Sequence, residues 1–561
     1  MIIRNIVVWL ALALSLHAQA GQRVALVNGE IYTANDKQLW VEALVYENEK
    51  IIYVGDAKSA QNFITPTTQV HDLKGKLVTP GMHDLHMHAE TASVFVHSCN
   101  LYALRSKQAI IAKLKECVQQ YPDSPWLRGE GWVSYDEDQV VYKEDLDKVL
   151  PDRPMWLMAM DGHSALVNSK ALALSGISAN TPDPVAGTIH KNAKGEPSGL
   201  LVESAMWIPE VLMPRVSLGD QVKSLEKAMQ LANQYGVTSI VEAWETPSLD
   251  VAWLQLKDEG RLTTRVNLAL LVEEDWDENI ELLKQRRAAL DFYPMLKANQ
   301  IKLLTDGIVE IKTAAVKEPY LGTENDKGMF YFTQQQLNKW VPMLEGEGFQ
   351  IHAHTIGDRA MANVLTALEH SRVVNKRGNN KPMFIHNYMV DKNDIPRLKA
   401  ANASANFSML WRQYDIATES YKPFISQENF ERIMPMAELH EAGVLVTGGS
   451  DFYVSQIDPL AAITAAITGK AVPYYRSWPY QPDSQPVMPG KKPDLDTMMK
   501  AYTIFAAQAQ GMEDITGSLE KGKRADLVVF DKNFFKDAPE KIYGTQVLAT
   551  VLDGSIVYGG F

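Results

Sequence analysis

Cysteine is almost absent from this chain: Cys99 and Cys117 are its two cysteines among 561 residues. Two are too few for a small scaffold in which disulfides replace a hydrophobic core. They are also too few for a zinc site built from thiolates. The two thiols can pair in an oxidising compartment or remain reduced in a core, and the sequence leaves both alternatives open.

Long apolar runs are missing after the first 20 residues. The N-terminal run spans residues 6–16, follows Arg4 and precedes Ala18-Gln19-Ala20. A membrane anchor is the alternative interpretation, but the run is shorter than the roughly 20 residues that span a bilayer. The pattern therefore predicts a signal peptide over residues 1–20 with cleavage after Ala20. We expect an exported protein, in bacteria a periplasmic one, without membrane attachment after cleavage.

Positive charge is also scarce. The chain has 55 Lys and Arg residues against 68 Asp and Glu residues, a formal net charge of -13, and no basic patch. Nucleic acid is therefore not an expected partner. Apolar residues make up 46% of the chain, so a sizeable core is available. The oligomeric state stays open, and a homodimer is one alternative.

The two ends of the chain differ from its middle. Residues 21–80 and 512–561 contain short alternating strands interrupted by glycine, asparagine and aspartate, which predicts one small β domain made by both ends. In residues 81–511, apolar strands alternate with helical segments, the pattern of a parallel sheet with helical crossovers. The fold class is therefore α/β.

The middle contains about nine candidate strands, one more than a (β/α)₈ barrel requires. The excess strand lies in a stretch rich in proline, glycine and tryptophan, at about residues 95–220. We interpret this stretch as a large insertion after the first barrel strand. Insertions in βα loops lie over the active-site face of such barrels, so this one should form a wall or lid.

Titratable groups collect at the predicted strand ends. His86 and His88 are two residues apart and face the same way on a strand, whereas His83 has the opposite parity. Neutral imidazoles at this spacing suit zinc and similar metals, although a pair of structural histidines is the alternative.

Four further residues strengthen the metal interpretation. His354, His386 and Asp451 end the predicted fifth, sixth and eighth barrel strands, where barrel active sites form. Lys302 lies inside the apolar fourth strand, where a buried ammonium is costly and needs a reason.

These motifs, taken in order, resemble the amidohydrolase superfamily. The matching segments are PGMHDLHMH (residues 80–88), HTIGDRA (354–360), IHN (385–387) and GSD (449–451). The segments DGHSALVNSKAL (161–172) and IKLLTDG (301–307) narrow the resemblance to amidohydrolase family 3, the YtcJ-like proteins. The chain departs from the family at Ile385-His386-Asn387, where the family often has Glu-His. The departure keeps His386, the expected ligand, and changes the residues next to it.

The resemblance implies a metal-dependent hydrolase with a TIM-like (β/α)₈ barrel and a small β-sandwich. His86 and His88 would bind the more buried Zn²⁺, and His354 and His386 a second one. Asp451 would bind metal and shuttle protons. Lys302 would be carboxylated and bridge both ions, which turns an unfavourable buried cation into an anion between two cations.

The remaining candidates concern the substrate. We expect His163, in the insertion, to contact the substrate or its oxyanion; the alternative is that it buttresses the insertion. Trp132 and Glu203 are weaker candidates for the pocket wall, and for Trp132 structural packing is the alternative. His352 is expected to be a core residue or a neighbour of a ligand, with contact to metal or substrate as the alternative. The insertion's tryptophans favour a partly enclosed apolar pocket and hence a small-molecule substrate.

The expected reaction is hydrolysis by metal-activated hydroxide of an amide-type carbon–nitrogen bond other than a peptide bond. Asp451 would transfer the proton to the leaving nitrogen, and His163 would help to polarise the carbonyl. One alternative is a deaminase with a single metal, which has no use for a bridging lysine. Another is a non-catalytic exported binding or regulatory protein on the same fold.

Overall fold

The computed structural model describes residues 22–561 except 103, 105, 134–139, 377–379 and 474–485. The predicted signal peptide, residues 1–20, lies outside the described residues. Within the described part of the chain, no helix has the length and apolar character needed to cross a bilayer.

The N-terminal strands form one sheet on their own and share a second sheet with C-terminal strands. The N-terminal strands are β1 (Arg23–Val27), β2 (Glu30–Tyr32), β3 (Trp40–Val41), β4 (Ala43–Glu47), β5 (Lys50–Gly55), β6 (Gln69–Asp72) and β7 (Leu77–Pro80), with helix α1 (Ala57–Ala60) after β5. Strands β5, β4, β1 and β6 form one sheet in that order. Val24 and Leu26 of β1 face a core shared with the other sheet, whereas Ala25 and Val27 face α1. This alternation is the period-2 signal that predicted a β-rich end.

The first barrel strand, β8 (Met82–Met87), is followed directly by the insertion. The insertion's strands are β9 (Cys99–Asn100), β10 (Leu127–Trp132), β11 (Met155–Ala159), β12 (Ser164–Val167), β13 (Gly187–Lys191) and β14 (Pro197–Glu203). Its helices are α2 (Lys107–Gln120), α3 (Lys143–Val149), α4 (Ser169–Leu174) and α5 (Trp207–Glu210). These strands make one sheet in the order β13-β14-β12-β11-β10-β9. A Cys99–Cys117 disulfide ties β9 to α2, which settles the pairing that the sequence left open.

The barrel continues after the insertion. Its further strands are β15 (Val237–Glu245), β16 (Arg265–Val272), β17 (Leu296–Leu304), β18 (Gln350–Thr355), β19 (Met383–His386), β20 (Ser404–Ser408) and β21 (Leu445–Gly449). With β8 they form an eight-stranded parallel sheet in chain order. The backbone N–H of Asp451 donates to the carbonyl of His86 at 2.7 Å and joins the last strand to the first. The predicted TIM-like barrel with an insertion after its first strand is therefore confirmed.

Helices surround the barrel. They are α6 (Leu218–Gln234), α7 (Asp250–Asp258), α8 (Ile280–Ala289), α9 (Gln334–Gly346), α10 (Asp358–Asn375), α11 (Ile395–Ala400), α12 (Ile416–Tyr421), α13 (Gln427–Glu431), α14 (Met436–Glu441), α15 (Pro459–Thr468), α16 (Leu495–Ala501) and α17 (Ile504–Ala509). Helix α6 shows why they form: Ser217 caps its first turn, and Val222, Leu225 and Met229 bury one face. It stops before Gly236, which has a φ of +79°.

The chain returns to the small domain at its end. Strands β22 (Leu527–Phe530), β23 (Val547–Leu552) and β24 (Ser555–Gly559) join β7, β2 and β3 in a six-stranded sheet. Leu527, Val529 and Val551 pack against β1 in the core between the two sheets. The predicted small β-sandwich from both ends is therefore confirmed as part of the fold.

Candidate metal centre

The six predicted metal ligands meet at the mouth of the barrel. All of them line one cavity of about 950 Å³. They come from five different strands or strand ends; they are His86, His88, Lys302, His354, His386 and Asp451. The sequence predicted this meeting because the carboxyl ends of parallel barrel strands share one face.

The first strand does not stay regular at this point. Its pairing with β15 shifts between Asp84 and Met87. His83 points away from the cavity, and its Nδ1 lies 3.4 Å from Gln510 Nε2 beside α17. Asp84 accepts hydrogen bonds from the backbone N–H of His86 and of Ser450, at 3.2 and 2.9 Å. Its carboxylate therefore holds the first and last strands together directly beneath the candidate ligands.

His86, His88 and Asp451 form a compact donor group. Asp451 Oδ1 lies 3.3 Å from His86 Nε2 and 3.1 Å from His88 Nε2, and donor atoms of all three lie within 4.8 Å of one another. His86 Nε2 is buried and has no hydrogen-bond partner among the residues that the structure describes. Because a buried polar atom without a partner is costly, this donor set fits a bound cation.

His354 and His386 form the other half of the site. Their ring centroids are 4.7 Å apart, and that of His386 lies 4.9 Å from that of His86. His354 Nδ1 lies 2.9 Å from Asp306 Oδ1, and His386 Nδ1 lies 2.9 Å from Ser408 Oγ. Holding Nδ1 in this way leaves Nε2 available as the ligand atom, the arrangement that metal-binding histidines usually show.

Sequence reasoning missed Asp306. Its carboxylate is fully buried and also accepts backbone N–H groups of Gly357, Ala315 and Ile356, at 2.8, 3.0 and 3.2 Å. The available signal was its position at the end of the strand that carries Lys302. Ser408, at the end of β20, was missed as well, since an isolated serine carries no distinctive pattern.

Burial sets the protonation of the barrel ligands. It lowers the pKa of His86 to about 3, and those of His354 and His386 well below the usual range, so all three are neutral. Burial also lowers the pKa of Lys302 to about 8, although the charges of Asp451, Glu242 and Asp306 oppose the shift. Among residues whose positions are described, none forms a hydrogen bond or ion pair with Lys302 Nζ.

The insertion contributes a histidine of the opposite character. His163 Nδ1 lies 2.9 Å from Glu203 Oε2, and both residues line the cavity. Thr313 Oγ1 donates to the other oxygen of Glu203 at 2.6 Å. Burial alone would lower the pKa of His163, but the charge and hydrogen bond of Glu203 outweigh it and raise the pKa to about 9. The His163 ring is therefore cationic at neutral pH, with its centroid 5.6 Å from that of His354.

Comparison with known proteins agrees with this geometry. Residues 69–558 match the family model described as the amidohydrolase family. The chain belongs to the amidohydrolase family. It is 28% identical to the putative amidohydrolase YtcJ of Bacillus subtilis over 94% of this chain and 98% of that protein. The N-substituted formamide deformylase of Arthrobacter pascens is 22% identical, with coverage of 95% and 98%.

A solved structure shows the same fold. The metal-dependent hydrolase from Pyrococcus furiosus superposes with a TM-score of 0.69 at 22% identity, covering 92% of this amidohydrolase and all of that chain. Family membership makes the protein a hydrolase, and the donor group of His86, His88 and Asp451 fits a bound metal. The resemblance inferred from the motifs is confirmed.

One predicted wall residue of the amidohydrolase lies elsewhere. Trp132 packs in the core of the insertion, its indole N–H donates to the Leu157 carbonyl at 2.7 Å, and it is not among the cavity-lining residues. The expectation that Trp132 forms the wall is therefore corrected. The wall contains Trp156, Trp207 and Trp244 instead, with successive ring centroids 6.3 and 6.4 Å apart.

Three residues of the site have strained backbone angles. His386, Asp451 and Glu203 have positive φ angles of 72°, 52° and 52°. Such angles are uncommon outside glycine and tend to cluster at functional positions. Gly449 adds a close approach, because a Cβ there would lie 2.9 Å from the backbone and Cβ of His86. The last strand can therefore pass His86 only with glycine at this position.

Proposed function

We propose that this protein hydrolyses an amide-type carbon–nitrogen bond, other than a peptide bond, in a small molecule. The proposal rests chiefly on Lys302, whose buried amine has no polar partner among the described residues and lines the same cavity as Asp451 and the neutral imidazoles. His86, His88 and Asp451 would hold one Zn²⁺, and His354 and His386 a second. The name of the deformylase relative, which cleaves a C–N bond of formamides, supports the bond type.

Lys302 is suited to carboxylation. With its pKa lowered to about 8, an appreciable fraction of the amine is neutral near pH 7 and able to attack CO₂. The new N–C bond forms with loss of one proton, and the product is a carbamate anion. An anion between two cations removes the cost of a buried ammonium.

The chain's own groups would divide the work as follows. Bound metal would supply Lewis acidity, lowering the pKa of water toward ~7. Asp451, beside both His86 and His88, would accept the proton of the attacking water and pass it to the departing nitrogen. Cationic His163, held by Glu203, would donate a hydrogen bond to the carbonyl oxygen as negative charge develops there. The tryptophan wall would hold the apolar part of the substrate.

Metal analysis together with a Lys302 variant tests the proposal. Zinc-loaded protein should contain about two ions per chain by mass spectrometry. Lys302→Ala should lose one ion and the hydrolysis of N-substituted amides, and Lys297→Ala, a partly buried lysine on the same strand, should keep both. A single ion in both proteins, with ammonia released from a ring substrate, would favour a deaminase instead.

We also propose that the protein is exported, because an apolar run and an Ala-Gln-Ala site begin the chain. The Cys99–Cys117 disulfide suits an oxidising compartment. Mass spectrometry of the N-terminus after expression in a bacterium should find the chain starting at Gly21 in the periplasmic fraction. An intact Met1 in the cytosol would overturn this proposal.

A further inference from the structure

A hydrogen-bonded relay of buried polar side chains runs from His86 to the floor of the barrel. Four contacts make it continuous: His86 Nδ1 to His352 Nε2 at 2.7 Å, His352 Nδ1 to Gln300 Oε1 at 2.9 Å, Gln300 Nε2 to Gln350 Oε1 at 2.9 Å, and Gln350 Nε2 to the Ala509 carbonyl at 2.8 Å. Gln300, His352 and Gln350 lie on the adjacent strands β17 and β18, and their relay reaches His86 on β8 across the interior of the barrel. Each is at least 95% buried, so water cannot replace its partners.

The lower end of this relay fixes the direction of its hydrogen bonds. A carbonyl oxygen can only accept, and the amide of Gln350 donates to the carbonyls of both Lys381 and Ala509. The oxygen of Gln350 must then face Gln300 and accept from its amide. The oxygen of Gln300 in turn faces His352 and accepts from Nδ1.

The same direction continues through the two imidazoles. Because His352 carries its proton on Nδ1, the Nε2 of neutral His352 can only accept. His86 must therefore carry its proton on Nδ1, and its lone pair resides on Nε2. That lone pair lies 3.3 Å from Asp451 Oδ1, so two acceptors face each other unless a cation stands between them.

We propose that His352 is a positioning residue: with Gln300 and Gln350 behind it, His352 fixes His86 in the Nδ1–H tautomer and aims Nε2 at the metal. The inference rests on the proposed metal site at His86. It assigns no role to His352 in contacting the substrate.

Comparison with the other ligands shows what this relay does differently. His354 Nδ1 is held by the carboxyl group of Asp306, whose pKa burial raises to about 8. The relay behind His86 is neutral from end to end, so it orients the ring without adding charge. His86 is therefore positioned without a carboxyl group behind it, whereas His354 has one.

Nitrogen NMR of the full-length, metal-free protein labelled with ¹⁵N-histidine tests the tautomer directly. Wild-type His86 should show a protonated Nδ1 and an unprotonated Nε2. Gln300→Met removes the acceptor behind His352 and should introduce a population of His86 protonated on Nε2. A wild-type His86 protonated on Nε2, or an unchanged tautomer in Gln300→Met, would overturn the proposal.

Zinc titration gives a second readout. His352→Phe should weaken one zinc site by roughly 10–100-fold, the usual cost of losing a group that orients a ligand. His352→Gln offers one acceptor and one donor and should restore most of the affinity, and His370→Phe on the exposed face of α10 is the control. Equal weakening in the Phe and Gln variants would indicate a packing role and refute the proposal. If His352→Phe does not fold, the Gln300→Met spectrum decides.

These measurements need no substrate. Failure to hydrolyse any amide would therefore refute the proposed reaction and leave the tautomer result standing. Conversely, a wrong tautomer would refute the relay while hydrolysis of amides remained.

Discussion

The barrel and the insertion both place buried histidines at the same cavity, yet in opposite charge states. The barrel imidazoles of His86, His354 and His386 have strongly lowered pKa values and are neutral. The pKa of His163, in the insertion, is raised to about 9 because Glu203 contacts it. Burial alone therefore does not decide the charge of a histidine here. Glu203, Asp161 and Asp451 raise the pKa of His163, whereas burial and the neighbouring charges of His386, Lys302 and His163 lower that of His354. The barrel supplies lone pairs, and the insertion supplies a proton donor.

The largest effect is expected on the barrel side. Asp451→Asn keeps the shape of the side chain and removes the group that takes and returns the proton. We expect kcat to fall by about 10²–10⁴-fold, the range for loss of a general acid–base. Steady-state kinetics on an amide that wild type hydrolyses, with metal content measured in parallel, checks this. Unchanged kcat in a fully metal-loaded variant would contradict the assigned role.

A smaller effect is expected on the insertion side. Glu203→Gln removes the charge that holds the proton on His163, while Gln can still accept from Nδ1. We expect kcat/KM of wild type to fall as the pH rises through about 9, since His163 then loses its proton. In Glu203→Gln this falling limb should move to lower pH, with the metal content unchanged. A pH–rate profile of each protein measures this limb. If it lies at the same pH in wild type and in Glu203→Gln, the protonation of His163 does not contribute to catalysis.

The same pair makes a matching contribution to stability. The pKa of His163 is raised in the folded protein, so the stabilisation is fully present below about 6.5 and is lost as the pH rises through about 9. Glu203→Gln should therefore lose more stability at pH 6 than at pH 10. Chemical denaturation at the two pH values checks this sign.

The smallest effect tests the corrected residue of the insertion. Trp132→Phe removes an indole hydrogen bond to Leu157 inside the insertion core, and Trp132 is not among the residues that line the cavity. We expect a loss of about 1 kcal/mol in the free energy of unfolding, with KM and kcat unchanged. Trp207→Phe on the cavity wall is the matched control and should raise KM instead. A higher KM in Trp132→Phe would indicate that Trp132 does form part of the cavity wall.

Sequence patterns predicted the barrel side better than the insertion side. The carboxyl ends of the parallel barrel strands share one face, so the meeting of the barrel ligands follows from strand geometry. Their assignment as metal ligands needed the ordered motifs, because the spacing of His86 and His88 alone left a structural pair as the alternative. The insertion has no such regularity, and Trp132 was misplaced because composition cannot tell an indole in a core from one on a wall.

Groups that act through a ligand were harder to predict. Asp306, Ser408 and Gln300 become meaningful only when neighbouring strands bring them to a histidine ring. The positive φ angles of His386 and Asp451 are likewise invisible in the sequence, since neither residue type requires them.

The bond between Asp84 and Ser450 joins residues 366 positions apart. Between them the chain completes the insertion and six further strands before the eighth arrives. Asp451 enters beside His86 and His88 only at that moment, so a chain still emerging or cut short has the imidazoles without their carboxylate. The three-donor group can therefore form only after all eight strands of the barrel are in place.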